Sequence, residues 1–352
     1  MVFDEAVRTT TRTFIIPTVY DQVTKGSPSL MKTLRLAKPW KTGTKYEFPA
    51  KIVDTTNGGW TGVANQLDTD RQNTRVTASF EPKMVYKPVV AADIELTLNM
   101  GSERIVDLLQ TEYDSQAQSL INLMGQGLFL GDGTGNMPDS IRNSADDGGA
   151  FNTYGGISRT TYPAWAGYDL VSAGALTLAK MATFYDAIEI GTEKPDWMVT
   201  TKALWSVYES LLTPQIRAGY TQNGFPKMDE YGIVGGNSGL YGQTGFECLW
   251  FRGTAVVKDE QAPAGSMYGW NTKYFGWKGI DVKAAGVSQL NFKSTSEGIP
   301  SGVPGRVPST KGFNVREMMS PVDQLAQIGY VFYAGNFISE QPRLTGAMLG
   351  LS

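Results

Sequence analysis

Three short stretches hold the residue types from which a reactive or binding site could be built. "YGGISRTTYPAW" (154–165) sets Arg159, with its rigid fork of donors, among the flat rings of Tyr154, Tyr162 and Trp165. Gly155-Gly156 beside them lets a backbone approach a ligand or a partner closely. Acidic pairs stand at Asp146-Asp147 and within "KDE" (258–260), and two carboxylates suffice for glycoside hydrolysis. "GDGTGN" (131–136) mixes glycine and carboxylate, as phosphate loops and cation sites do.

Each has a plainer reading. "GDGTGN" lacks the G-x-x-x-x-G-K-[ST] order, the G-x-G-x-x-G spacing and the EF-hand ligand series, and it follows a helical pattern; it reads as a glycine-rich helix stop. Nothing places either acidic pair across a cleft, so both read as solvated loop residues. Cys248, the only cysteine, sits in "FECLWF" and reads as a buried, inert thiol. The chain has no histidine, which removes the commonest general base, the Ser-His and Cys-His nucleophiles and the commonest metal ligand. No cofactor, metal or catalytic residue is expected.

The elements that must carry these residues come next. Charged residues are only 18% of the 352, glycines number 40 and aromatics reach 11%, a mix suited to β-rich structure with long ordered loops. In "TKYEFPAKIV" Tyr46, Phe48, Ala50 and Ile52 alternate with charged or polar residues. In "TRVTASFEPKMVYK" Val76, Ala78, Phe80, Met84 and Tyr86 do the same. The two describe long strands meeting at a polar loop, 54–73, with Trp60 among glycines near its tip. A lone hairpin is marginal in water, so its apolar face needs a cover, and a neighbouring subunit is the cover expected.

Ser102 then caps a helix running to about residue 129, with Ile105, Leu109, Tyr113, Ala117, Leu120, Met124 and Leu128 at spacings of three and four. Further helices are predicted over 177–190 and 202–212, strands at 197–200 and within "FECLWFRGTAVVKD", and a hairpin in "GSMYGWNTKYFGWKGIDVKA". The terminal "QLAQIGYVFYAGNFIS" gives a strand apolar on both faces. Residues 1–53 hold nine Lys/Arg against four Asp/Glu, leaving 22 against 30 in the rest. A dispersed basic arm on an acidic body suits binding to another copy of the same chain.

This order of elements resembles the major capsid proteins of tailed bacteriophages. The resemblance rests on the hairpin of 44–88, the helix of 102–129 followed by "GDGTG", "YGGISRTTYPAW", "WFRGTAVVKDEQAPAGSMYGWNTKYF" and "GYVFYAGNFISEQPRLTGAMLGL". It implies an α+β, Hong Kong 97-type phage capsid fold. Residues 1–40 would be an N-terminal arm and 41–90 an extended loop. Residues 91–165 with 315–352 would form a peripheral domain around a spine helix, and 166–314 an axial domain.

It further implies a structural protein that assembles with itself into hexamers and pentamers of an icosahedral shell. Such a shell would contact packaged double-stranded DNA non-specifically and meet a separate scaffold protein, a portal and decoration proteins. The chain would be made in the host cytoplasm and reside in the virion. The apolar segment of a signal peptide is absent from "MVFDEAVRTTTRTF", no run suits a membrane span, and no membrane is expected.

Candidate subunit-interface residues are Arg8, Arg12, Tyr46, Phe48, Trp60, Arg71, Arg75, Phe80, Arg159, Tyr162 and Trp165. Arg159 is the candidate for an intersubunit salt bridge, and Tyr162 and Trp165 for apolar packing; service in their own subunit's core is the standing alternative. An encapsulin-type compartment shell is the second reading. From other classes, a two-carboxylate carbohydrate-active enzyme and a single-stranded DNA binder remain.

Overall fold

The computed structural model describes residues 26–40, 43–62, 70–98, 108–219, 248–280, 282, 287–290, 313–321 and 325–352. Arg8, Arg12 and the helix cap expected at Ser102 lie outside these residues.

The described chain opens with α1 (Pro28–Arg35). Ser27 caps it, its hydroxyl accepting the Leu30 N–H at 3.3 Å, and Pro28 occupies the first turn, where a missing N–H costs nothing. After β1 (Lys38–Pro39), β2 (Tyr46–Lys51) and β3 (Arg75–Phe80) pair antiparallel, with Tyr46 opposite Phe80, Phe48 opposite Ala78 and Ala50 opposite Val76. That register puts the apolar residues on one face and Glu47, Lys51 and Arg75 on the other, as the alternation predicts.

Beyond that point the structure departs from expectation. Glu81-Pro82 interrupts the second strand, and β4 (Lys83–Ala92) leaves the hairpin to pair with the long strand near the C-terminus. The alternation changes phase across the break. Val89 and Ala91 are buried, whereas Met84, Tyr86 and Val90 are exposed, so Met84 and Tyr86 do not continue the hairpin's apolar face.

After α2 (Asp93–Leu98) comes α3 (Leu108–Leu130), 23 residues or about 34 Å long. Ala117, Leu120, Met124 and Leu128 are buried at the spacings read from the sequence. The exit after α3 requires glycine: a Cβ at Gly131 would lie 2.2 Å from Pro138 O. α4 (Ile141–Ala145) follows, then β5 (Thr153–Tyr154) and β6 (Ile157–Ser158). Gly155 and Gly156 join that pair at φ 58° and 78°, the left-handed pair that a tight hairpin demands. The remaining elements are β7 (Tyr168–Leu170), α5 (Leu178–Ala187), β8 (Trp197–Thr200), α6 (Lys202–Gly219), β9 (Cys248–Phe251), β10 (Thr254–Lys258), β11 (Met267–Trp270), β12 (Phe275–Ile280), β13 (Val287–Leu290), β14 (Phe313–Met319), β15 (Ala326–Ser339) and β16 (Thr345–Met348).

The longer strands build two six-stranded sheets. In the first, β15 is the axis. β4 runs along one edge from Ala326 to Gly335, while β14 and then β12 take the other. Residues 331–339 of β15 are buried on both faces, as expected, but Tyr330 is exposed. The second sheet has the order β7-β16-β11-β8-β10-β9. One of its faces packs on α5 and α6 through Phe184, Ile188, Trp205 and Tyr208; the other, with Trp197, Val199 and Trp270, shares a core with α3 and the first sheet.

Strand pairing crosses the domain boundaries expected from sequence. β12 and β13, within 166–314, belong to the first sheet, whereas β16, within 315–352, belongs to the second. β4, assigned to the extended loop, is a strand of the first sheet. β11 and β12, read as one hairpin, part at residues 271–274 and enter different sheets. Hydrophobicity and alternation alone do not record which sheet a strand joins.

Candidate functional site

The projecting hairpin and "YGGISRTTYPAW" turn out to be two halves of one structure. Phe80 is buried beneath the β5–β6 turn, where a Cβ at Gly155 would lie 2.6 Å from its ring, and the Ser79 N–H donates to Gly155 O at 2.9 Å. Phe48 stacks on Phe80 at 6.1 Å, and Phe80 meets Tyr154 edge-on at 5.0 Å. Trp165, also buried, donates from Nε1 to Tyr154 O at 3.0 Å, and Tyr162 packs against the same cluster. The close approach that Gly155 permits is therefore that of the chain's own hairpin. The cover expected from a neighbouring subunit is supplied, at the hairpin's base, by the same subunit.

A polar anchor reinforces that base. The Tyr46 hydroxyl donates to Glu340 Oε1 at 3.0 Å, and the Lys278 ammonium, on a side chain 1% exposed, donates to the same oxygen at 2.5 Å. Burial, with the Glu340 charge adding to it, pushes the Tyr46 pKa up to about 12. Burial lowers the pKa of Lys278, its bond to Glu340 opposing.

Arg159 is completely buried and faces its own chain. Nη1 donates to Phe151 O at 2.7 Å, Nη2 donates to Asn143 O at 2.6 Å and Ser144 O at 3.1 Å, and Asp146 lies 3.9 Å away. The intersubunit salt bridge expected of Arg159 is thus corrected to an internal clamp on three carbonyls. Asp146 is equally committed, accepting N–H groups of Gly148, Ala150 and Phe151, so it organises the loop instead of lying solvated as expected, whereas Asp147 is exposed. Asp259 accepts the Ser27 hydroxyl and the Ser29 and Gln261 N–H groups, and burial raises its pKa. In "GDGTGN", Asp132 accepts the Thr134 N–H and hydroxyl, a local turn.

The hairpin's far end is different. Past the ladder its two sides are tied by side chains: the Thr56 N–H donates to Gln72 Oε1 (2.8 Å) and Asn57 Nδ2 donates to Asp70 O (2.7 Å). Trp60 at the tip is fully exposed, and Arg71 and Arg75 are exposed on the charged side. A second uncovered apolar surface lies on the outer face of the first sheet, where Met84, Tyr86, Val90, Met319 and Tyr330 are all more than a third exposed.

Among the described residues no cluster of His, Cys, Asp and Glu could hold a metal ion, and no helix is long and apolar enough to cross a membrane. A shallow pocket of about 410 Å³ beside Pro163, Tyr168 and Arg343 has no carboxylate in its lining. Asp139 and Asn336, buried and hydrogen-bonded to each other, and Glu340 were not foreseen from the sequence, and Lys278 was read there only as a candidate, with Lys273, for stacking single-stranded bases among aromatics. The legible hint was a polar side chain inside an apolar strand, Lys278 in "FGWKGI" and Asn336 in "YAGNFIS".

No protein-family model and no curated protein matches the chain. Solved structures do. The capsid asymmetric unit of cyanophage A-1(L) superposes with a TM-score of 0.74 at 16% identity, covering 99% of each chain. The capsid of a native GTA particle gives 0.61 at 8% identity over all of both chains. The SrpI encapsulin complex of Synechococcus elongatus gives 0.59 at 10% identity, covering all of this chain and 96% of that one. The fold is thus the α+β capsid fold of the Hong Kong 97 type.

Proposed function

We propose that this chain is a phage major capsid protein, a structural subunit that assembles with its own copies into a closed icosahedral shell around a genome. The observation that carries this reading is the match, over 99% of both chains, to a cyanophage capsid subunit. The geometry of the hairpin adds to it. Its base is seated on the body, while Trp60 at the tip and the Met84–Tyr86–Tyr330 face of the first sheet are left uncovered. In this reading both surfaces belong to neighbouring copies, with Trp60 as an aromatic anchor and Arg71 and Arg75 exposed elsewhere on the hairpin. Many such contacts, individually weak, are repeated by symmetry in hexamers and pentamers.

The first sheet with α3 would be the peripheral part of the shell and the second sheet the axial part. Scaffold, portal and decoration proteins are separate partners, the packaged double-stranded DNA is contacted non-specifically, and the chain performs no catalysis.

An encapsulin-type compartment is the second reading, favoured by the SrpI match. Negative-stain microscopy of the expressed full chain tests both. Closed shells or capsomers support assembly; a population of isolated subunits under all assembly conditions overturns it. Shells that enclose DNA during infection favour the phage head, and shells that enclose an enzyme favour the compartment.

A further inference from the structure

Past the β2–β3 ladder, a half-buried asparagine helps to tie the two sides of the hairpin. Asn57 Nδ2 donates to Asp70 O at 2.7 Å. Asn57 Oδ1 accepts from Gln72 Nε2, which also donates to Thr56 Oγ1 at 2.7 Å. The next residue is Gly58, at φ 100°. Gly58 and Gly59 are exposed, and a Cβ built at either would meet nothing within 4 Å. The Gly58 N–H has no acceptor among the described residues. Asn57 is also the only asparagine among the described residues that precedes a glycine.

We propose that Asn57-Gly58 is a self-modifying site, where spontaneous deamidation replaces the Asn57 amide by a carboxylate and undoes its tie across the hairpin. The Gly58 nitrogen gives its proton to hydroxide and bonds to Asn57 Cγ. The Cγ–Nδ2 bond then breaks, and Nδ2 leaves as ammonia with a proton from water. The cyclic imide that results takes up a water molecule. Opening its Cγ–N bond gives aspartate; opening the original peptide bond gives isoaspartate, with one more methylene in the main chain. Asparagine and water become acid and ammonia, with no change of oxidation state and no cofactor.

Ring closure is intramolecular, so it needs only an unhindered nitrogen and a carbon ready to receive it. Glycine supplies a nitrogen with no Cβ beside it, and here its proton is committed to no acceptor. Gln72 donates to Oδ1, the oxygen on which negative charge develops as nitrogen adds to Cγ. The product loses the Nδ2 donor. A carboxylate only accepts, so it would face Asp70 O, another acceptor, with no proton between them. The new charge stands three residues before Trp60, in the tip that the assembly reading gives to neighbouring copies, but the reaction itself does not rest on that reading.

Peptide mapping by mass spectrometry, on the folded full chain held in mildly alkaline buffer, tests the reaction. The peptide 52–71 should gain the mass of OH over NH2, with isoaspartate the larger product. Peptides holding Asn122, Asn152 and Asn271, which precede Leu, Thr and Thr, should stay unchanged over the same interval. Conversion at Asn57 only after the chain is denatured, or no faster than at those three asparagines, overturns the site. The untying is read by trypsin under native conditions. Asn57→Asp should be cut after Arg71 about fivefold faster than wild type, the loss of one hydrogen bond, and equal rates overturn it. If that variant does not accumulate, aged wild-type protein gives the same comparison between its converted and unconverted chains.

Discussion

Replacing Phe80 by alanine should release the hairpin from the body without unfolding the body. The ring is 3% exposed, stacked on Phe48, edge-on to Tyr154 and pressed against the backbone of Gly155. Removing a phenylalanine side chain from such a site costs about 3–5 kcal/mol. The cluster that holds Phe80 is built from the hairpin, the β5–β6 turn, Trp165 and Ile338, apart from the two clusters that hold the sheets. The loss therefore falls mainly on docking. At about 1.4 kcal/mol per factor of ten, undocking should become at least a hundredfold more frequent. Hydrogen exchange at Ser79, whose N–H bonds to Gly155 O, reports it directly. Ser79 protection should drop by about that factor while β8 protection and the main thermal transition hold. If Ser79 keeps its protection within about threefold, the aromatic seat is not what holds the hairpin, and the reasoning fails.

Three further outcomes follow from the same contacts. Arg159→Met leaves three carbonyls and Asp146 buried without their cation and should destabilise the isolated subunit by about 3–5 kcal/mol, read as a lowered Tm; an unchanged subunit that only assembles poorly would restore Arg159 to an interface. Gly346→Ala places a Cβ 2.7 Å from Ile188 and 2.8 Å from Phe184, an overpacking worth about 1–3 kcal/mol in a denaturant titration. Tyr46 has its pKa raised, so it stabilises the docked hairpin below the ordinary tyrosine range, and that contribution should vanish as pH rises towards about 12. Exchange at Ser79 measured across the alkaline range, with Tyr46→Phe as the flat control, checks it.

How far the chain is legible depends on where the information sits. The β2–β3 register and the buried stripe of α3 were readable because a period of two and a spacing of three and four survive in the local order of side chains. Pro82 was visible too, yet its consequence was not: the strand after it shifts phase and joins β15, a partner some 240 residues away in sequence. The sheets that β12 and β16 join were not legible for the same reason, since pairing partners are chosen by tertiary context. Arg159 in a Tyr- and Trp-rich loop reads alike whether it faces a neighbour or its own carbonyls. Only the fold brings Asn143 O, Ser144 O and Phe151 O around it.

The most direct test of assembly through the hairpin tip is sedimentation of the purified full chain beside a variant lacking residues 57–66. Trp60 lies within that deletion and touches nothing that holds the subunit together, being fully exposed. The account predicts megadalton shells or capsomers from the intact chain and a folded, unassembled or unstable species from the variant. Shells of equal yield and stability from both would contradict it.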